Sequence, residues 1–255
     1  IGDKKYILNA ADKYNPAYLI PYDVLDNEAY LVDDVSGGWI TLTGEKSKWR
    51  NVVSFMGEIT TDGLLKGKAA VYSFDYCKNP RVKKWQEDKE SFKDYFTSNY
   101  GGIKIEDLEV TNADRDSMPL QQKINFAIPV NSSGEYSYCA VNFFQELDKN
   151  PFLADKRMTD VDFNFPQDYT LTGKIFIPDG YEFAALPKNI MMIMPDSSIE
   201  LRRIFQPGEG SVDFRIKLDF KKSSYEATDY SELQDFYKKL ITSLNEQIVI
   251  KKKKS

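Results

Sequence analysis

Hydrophobic and polar residues alternate along most of this chain, which is the pattern of β-strands with one buried face. In the clearest case, Ser211–Phe220, apolar residues fill every second position and charged residues fill the positions between them. A PGEG turn joins this segment to Ser197–Gln206, and Asp168–Pro178 alternates in the same way. We therefore predict three strands here, two of them paired as a hairpin.

Two further hairpins are predicted in the first half of the chain. Arg50–Thr60 and Leu64–Tyr76 flank an Asp-Gly turn, which strongly favours a tight β-hairpin. Residues 121–130 and 135–144 flank the turn sequence NSSG, which favours a hairpin of the same kind. All four segments are expected to be antiparallel strands.

A period of 3.6 residues replaces the alternation in two places, and the first is residues 80–99. Apolar side chains in this segment fall on one helical face. Asn79 is a suitable N-cap and Pro80 suits the first helical position. We predict one continuous helix over these residues.

The second helical pattern covers residues 230–246, where leucine, isoleucine and aromatic residues form one stripe. Ser231 and Gln234 have the spacing of a capping box at its start. The sequence QIVIKKK that follows is predicted to add a last strand.

Together these segments predict a mainly β protein with an antiparallel, β-sandwich-like architecture and two packed α-helices. An α/β fold with a parallel sheet is not expected, because strands and helices do not alternate. The polar, non-periodic segment 147–160 is the predicted boundary between a β-rich region at 46–150 and another at 151–255, each with one helix. Alternatively, these two regions form a single sandwich.

The composition argues against several functional classes. The chain has no histidine, so it cannot by itself build a Ser-His-Asp or Cys-His-Asp triad or a histidine-containing metal site. The net charge of −5 argues against nucleic-acid binding, because there is no excess of cations for the phosphates. We expect no metal, no cofactor and no membrane span. Cys77 and Cys139 are predicted to be buried thiols, with a disulfide as the alternative.

The opening of the chain resembles a known family. Residues 6–12 read YILNAAD and are followed by an Ile-Pro dipeptide. This resembles the end of the catalytic domain in bacterial transglutaminase-like proteins, where the triad aspartate lies in a motif aromatic-x-Leu-Asp-Ala-Thr-Asp before a Leu-Pro segment. The segments similar to the β-rich domain after that core are 150–163, 177–187 and 230–252.

The resemblance implies an incomplete catalytic site in this chain. The position that matches the family's aspartate is Asn9, which can orient a histidine but cannot stabilise its charged form. The family's Cys and His would lie upstream of Ile1, and the full-length site would then be either altered or without catalysis. By residue type alone, Asn9 is a turn residue after a strand. This chain is expected to have no enzymatic activity on its own.

The resemblance also implies what residues 1–45 are and where the protein is located. Residues 1–45 are expected to be the remnant of a core, and the first residue is not Met, so we expect a fragment or a processed chain. An extracytoplasmic location, periplasmic or at the cell surface, is implied by the resemblance. The side chains expected to hold residues 1–45 against the β-rich region are Tyr6, Leu8, Leu19, Ile20 and Trp39.

Two functions compete. In the first, the chain is a non-catalytic accessory region that supports the upstream core of the same protein, and its largest apolar patch should lie around residues 1–45. In the second, it is a binding module for a glycan or a protein, with an aromatic cleft remote from that end. Aromatic residues that could stack on a sugar are Trp39, Trp49, Tyr72, Tyr76, Tyr136 and Tyr138.

Two local patterns have simpler alternatives. Met191, Met192 and Met194 form either a strand with packed faces or an adaptable partner surface. Asp114 and Asp116 could ligate calcium, but the glycine and the closing glutamate of an EF-hand loop are missing. We therefore expect a solvated loop at that position.

Overall fold

The structure is a computed structural model, and it describes residues 7, 12–32, 37–43, 47–98, 102–144, 146–147 and 149–253. The predicted class is confirmed, because strands dominate and helices are few. The strands before residue 150 are β1 (Asn27–Leu31), β2 (Gly38–Leu42), β3 (Trp49–Ile59), β4 (Leu64–Phe74), β5 (Lys104–Thr111), β6 (Leu120–Pro129), β7 (Asn131–Ser133) and β8 (Tyr136–Cys139).

The remaining elements follow residue 150 or are helical. The strands are β9 (Val161–Asp162), β10 (Gln167–Phe176), β11 (Tyr181–Ala185), β12 (Ile190–Ile193), β13 (Ile199–Gly208), β14 (Ser211–Phe220), β15 (Ser224–Tyr225) and β16 (Ile248–Lys252). The helices are α1 (Asp75–Glu87), α2 (Phe92–Thr97) and α3 (Tyr230–Leu244), with short 3-10 helices at Tyr22–Val24 and Ala227–Asp229.

An eight-stranded sheet in the order β12-β13-β14-β10-β3-β4-β6-β5 forms the centre of the molecule. Each half of the chain contributes four of its strands, so both halves share one hydrogen-bonded sheet. The halves meet where β3 runs parallel to β10, although only antiparallel strands were predicted. Strand direction across this junction depends on a long connection, which local alternation does not encode. The domain boundary at 147–160 stays a prediction.

A second sheet, in the order β11-β16-β8-β7, lies over the same apolar core. The apolar stripe of α3 enters this core through Leu233, Phe236 and Leu240, and β16 contributes Ile248 and Ile250. The predicted last strand is thus confirmed. One continuous core of this kind explains why most alternating segments keep a buried face.

The predicted helix at 80–99 is wrong in its bounds, because two helices, α1 and α2, cover this region. Helix α1 begins directly after β4 at Asp75, whose φ of 45° turns the chain sharply. Pro80 therefore lies inside α1 and Asn79 is not an N-cap. The break comes at Asp88, whose Oδ1 accepts hydrogen bonds from the backbone amides of Glu90 and Ser91, each at 3.0 Å.

Helix α3 confirms the second helical prediction, but the capping box is wrong. Ser231 lies within the helix, and no side chain caps its first turn. Gln234 instead donates through Nε2 to the carbonyl oxygens of Phe152, at 3.1 Å, and Ala154, at 2.8 Å. Gln234 therefore binds a loop that is distant in sequence, and it does not cap the start of α3.

The hairpin predicted between 121–130 and 135–144 is also wrong. Strand β6 ends at Pro129, which has no amide proton to continue a ladder, and β6 pairs with β4 and β5. The NSSG sequence mostly forms β7, which pairs with β8 in the second sheet. The other two predicted hairpins, β3–β4 and β13–β14, are confirmed.

The described residues 12–32 and 37–43, here called the amino-terminal segment, pack on the outside of this body. Leu19 and Leu25 form a small cluster with Tyr76 of α1, and Ile20 packs against it. The contacts predicted for Leu19 and Ile20 are confirmed. Trp39 is 68% exposed and packs edge-on against Tyr30 of the same hairpin, so its predicted contact with the β-rich region is wrong. Tyr6 and Leu8 lie outside the described residues.

Candidate functional site

The position predicted from the family's triad, Asn9, lies outside the described residues, so its role stays a prediction. The Ile-Pro dipeptide that follows the motif is described, and Pro21 is buried. This part of the chain borders a cleft between the amino-terminal segment and α1. The cleft is the candidate site.

The cleft has a volume of about 870 Å³. Tyr14, Asn15 and Tyr22 line one side, and Asn79 and Lys83 of α1 line the other. It opens at the rim, where Tyr22 is 61% exposed. A binding module was expected to show an aromatic cleft remote from the amino-terminal end, yet this aromatic cleft lies at that end.

Three stacked rings form the inner wall of the cleft. Phe165 lies between Trp49 and Tyr76, with centroids 5.8 Å and 4.6 Å away and ring planes 11° apart in both pairs. Burial, together with the nearby carboxylates of Asp75 and Asp26, raises the pKa of Tyr76 to about 12. Its hydroxyl therefore stays protonated at neutral pH. The rings give this wall a rigid, largely apolar surface.

An amide pair crosses the cleft between the segment and α1. Asn79 Nδ2 donates to Asn15 Oδ1 at 3.3 Å, and Asn15 Nδ2 donates to the carbonyl oxygen of Leu19 at 2.7 Å. The buried Oδ1 of Asn79 accepts no hydrogen bond from any described residue. Exchanging the oxygen and nitrogen of Asn79 would place two acceptors against each other, so the orientation is fixed by its neighbour.

Asp75 links the strand–helix junction to the amino-terminal segment. Tyr18 donates its hydroxyl to Asp75 Oδ1 at 3.4 Å. Burial raises the pKa of Asp75, although the Lys48 amide and the Tyr18 hydroxyl favour its charged form. Burial and the Asp75 carboxylate both raise the pKa of Tyr18. Tyr18 therefore stays protonated at neutral pH and is the donor in this contact.

A buried polar cluster lies on the other side of α1. Arg81 is 1% exposed, and its guanidinium donates to Glu146 Oε1 at 2.6 Å, Ser73 Oγ at 2.6 Å and Asn51 Oδ1 at 3.2 Å. Tyr95 of α2 also donates to Glu146. The cluster joins both helices to β3 and β4. Its enclosure favours a structural role, because no cleft reaches the guanidinium among the described residues.

The two cysteines are free and buried, as predicted. Burial raises the pKa of Cys77 to about 11, even though the neighbouring Arg81 lowers it. Burial raises the pKa of Cys139 to about 12. Both groups are therefore neutral thiols at neutral pH, and a neutral thiol is a poor nucleophile.

The aromatic residues that could have formed a sugar platform do not gather in one place. Trp49 and Tyr76 border the cleft, whereas Tyr136 and Tyr138 belong to the second sheet. Tyr72 accepts a hydrogen bond from Gln121 on the eight-stranded sheet. The platform is thus limited to the residues of the cleft.

The structure also shows the surroundings of the methionine-rich strand and of the acidic loop. Met194 is buried, while Met191 is 60% exposed at the edge of the eight-stranded sheet. Lys78 Nζ holds the loop that carries Asp114 by donating to the carbonyl oxygens of Arg115, at 2.6 Å, and Met118, at 2.9 Å. Within the described ranges, no three His, Cys, Asp or Glu side chains group together to hold a metal.

The sequence alone did not identify the contributions of Asn79, Arg81 and Glu146. Arg81 lies four residues after Cys77, on the face of α1 that also buries Tyr76 and Val82, and a charged residue beside them would have indicated a buried ion pair. Nothing in the local sequence identifies its partner, because Glu146 is 65 residues away. Asn79 was assigned to capping because the start of α1 was misplaced.

None of the described helices is long and apolar enough to cross a membrane.

Comparison with known proteins gives one family match and one distant structural likeness. The crystal structure of a candidate protease from Parabacteroides distasonis is 11% identical, with a TM-score of 0.39 over 46% of this chain. The chain covers 23% of that protein's length. No curated protein sequence matches the chain. Residues 133–250, from β7 to β16, match the family described as a domain of unknown function with a solved structure, DUF3858.

Proposed function

We propose that this chain is a non-catalytic accessory region that supports a transglutaminase-like core of the same protein. The observation that carries the proposal is the apolar surface of the β1–β2 hairpin. Val32 is 85% exposed, and Tyr30 and Trp39 are also exposed on the same face, because side chains two positions apart on a strand share a face. Tyr30 and Trp39 are directly paired across the two strands. Contiguous exposed apolar side chains of this kind are typical of interaction surfaces.

The backbone of the hairpin supports the same proposal. In the described part of the chain, β1 and β2 pair only with each other. An isolated two-stranded hairpin is marginally stable in water and gains stability by packing on another surface. The hairpin therefore suits a partner that covers its rings and one of its edges.

The proposed partner is the core whose last residues resemble residues 6–12. That motif directly precedes the amino-terminal segment, so a core in the same chain would have a high effective concentration at the hairpin. In the accessory role, this chain supplies no nucleophile, because it has no histidine and both thiols are neutral. From the same resemblance we propose an extracytoplasmic location for the protein.

The test compares Trp39→Asp in the full-length protein and in the 255-residue chain by scanning calorimetry. A buried charge at the interface should lower the melting temperature of the full-length protein by roughly 2–4 °C for each kcal/mol of lost contact. The 255-residue chain should change little, because Trp39 is exposed there. Met191→Asp is the matched control, since Met191 is 60% exposed on the edge of the eight-stranded sheet.

Equal effects of Trp39→Asp in both proteins, or an effect in neither, would contradict the proposal. An upstream sequence without a Cys and a His at the family's spacing would also overturn it.

A further inference from the structure

We propose that the cleft between the amino-terminal segment and α1 binds a neutral saccharide of one or two units. This inference goes beyond the accessory role and does not require the upstream core. It rests on the shape of the cleft, its rings, one buried acceptor and its balance of charge.

The cleft has the dimensions of a small-ligand site. Its volume of about 870 Å³ falls within the range of roughly 300–1,000 Å³ that such sites occupy. Its walls come from parts of the chain that are far apart in sequence, since Asn15 and Asn79 face each other across it. Concave sites of this kind bury most of a small ligand's surface.

The aromatic rings provide a surface for the apolar face of a sugar ring. Trp49 is part-exposed to the cleft, and its stacking on Phe165 fixes the orientation of its ring. Tyr22 stands at the rim and is largely exposed. A pyranose carries C–H groups on its faces and hydroxyls on its edge, so it can contact rings and amides at the same time.

The buried Oδ1 of Asn79 points to a ligand that donates hydrogen bonds. Burying an acceptor without a donor is unfavourable, and such groups are rare in folded proteins. Asn79 cannot relieve this by rotating its amide, because its nitrogen is held by Asn15 Oδ1. The oxygen has less than 1 Å² of accessible surface, so a sugar hydroxyl supplies the missing donor only when the Asn15–Asn79 contact opens on binding.

The charges around the cleft favour a neutral ligand. Asp12 and Asp23 balance Lys13 and Lys83. Lys13 already lies over the ring of Tyr14, 4.8 Å from its centroid, and Asp12 Oδ1 accepts the Tyr14 amide at 2.9 Å. There is no surplus of cations that would select a phosphate or a carboxylate.

The experiment titrates N,N′-diacetylchitobiose and cellobiose into the 255-residue protein, followed by ligand-detected NMR and by backbone amide shifts. We expect one of them to bind with a Kd on the order of 1 mM, with the shift changes centred on Asn15, Trp49 and Asn79. Asn79→Leu removes the acceptor and Tyr22→Ala removes the rim ring. Each should weaken binding roughly tenfold.

Tyr136→Ala is the matched control, because this exposed tyrosine lies on the second sheet and its loss should leave the Kd unchanged. If Asn79→Leu does not fold, Tyr22→Ala by itself still tests the proposed binding. No binding of either sugar would overturn the proposal, as would binding that Tyr22→Ala and Asn79→Leu leave intact. Trp39→Asp should not change the Kd, so failure here is distinguishable from failure of the accessory role.

Discussion

The eight-stranded sheet and the amino-terminal segment differ in how far they bury their apolar side chains. Central strands of the sheet bury Val53, Leu171 and Leu218 almost completely in a core shared with α3. The segment buries Leu19 on α1 but exposes Val32 and others on its hairpin. The sheet therefore buries its inner face within this chain, although single side chains such as Met56 and Met191 are exposed on it, whereas the hairpin has the composition of a surface that another body covers.

The sheet region and the amino-terminal segment therefore gain their stability from different interactions. Burial of apolar area at roughly 25 cal/mol per Å² stabilises the sheet region through its own residues. The segment has a small cluster, one amide pair and the Tyr18–Asp75 contact to hold it in place. Regions with few buried contacts open locally before the whole molecule unfolds. The predictions below test this contrast.

The largest loss of stability is expected when the buried ion pair inside the sheet region is removed. Arg81→Leu should lower the free energy of unfolding by about 3–5 kcal/mol, because it leaves Glu146 and the polar side chains around it without their central donor. Chemical denaturation measures this change. Arg202→Leu is the control on an exposed position of β13 and should change stability by less than about 0.5 kcal/mol. Equal effects of the two substitutions would contradict a structural role for the cluster.

A pair of leucine truncations compares the two regions directly. Leu240→Ala should lower the free energy of unfolding by about 2–5 kcal/mol, because Leu240 is fully buried in the shared core. Leu19 is equally buried, but in the small cluster that holds the segment. Leu19→Ala should therefore open the segment locally and change global stability by less than about 1 kcal/mol.

Hydrogen exchange of backbone amides distinguishes these outcomes. Leu19→Ala should speed exchange within residues 12–43 and leave β3 and β14 protected. If Leu19→Ala destabilised the whole molecule as much as Leu240→Ala does, the segment would be an integral part of the core and the contrast would be wrong.

The sequence predicted what depends on local periodicity. Ser211–Phe220 became β14 with the same bounds, because one face of that strand is uniformly apolar. The parallel pairing of β3 with β10 was missed, since nothing near either strand encodes its distant neighbour. Pro80 was placed at a helix start by its usual preference, whereas the turn at Asp75 started the helix earlier. The cleft was missed because Asn15 and Asn79 meet only in the folded chain.

A smaller change in stability is expected from an ion pair at the surface of the sheet region. Asp196, in the β12–β13 turn, accepts hydrogen bonds from Lys222 Nζ at 2.7 Å and Ser198 Oγ at 2.6 Å. Partial burial raises its pKa, but these bonds outweigh it and lower the pKa from 3.8 to about 2. A lowered carboxyl pKa stabilises the folded state above about pH 4, and this contribution disappears as the pH falls toward 2.

Asp196→Asn should therefore cost less than about 1 kcal/mol at pH 7, because the ion pair is solvent-exposed. The difference from the natural protein should shrink below about pH 4 and be smallest at pH 2. Urea denaturation of both proteins between pH 2 and 7 gives the curve. A difference that grew on acidification would have the wrong sign for this assignment.

The central claim is that another part of the same protein covers the β1–β2 hairpin. The most direct measurement is backbone hydrogen exchange of residues 27–32 and 38–42, compared between the 255-residue chain and the full-length protein. Slower exchange at these residues in the full-length protein, with unchanged exchange in β13 and β14, is the predicted result. Identical exchange of the hairpin in both proteins would contradict the claim.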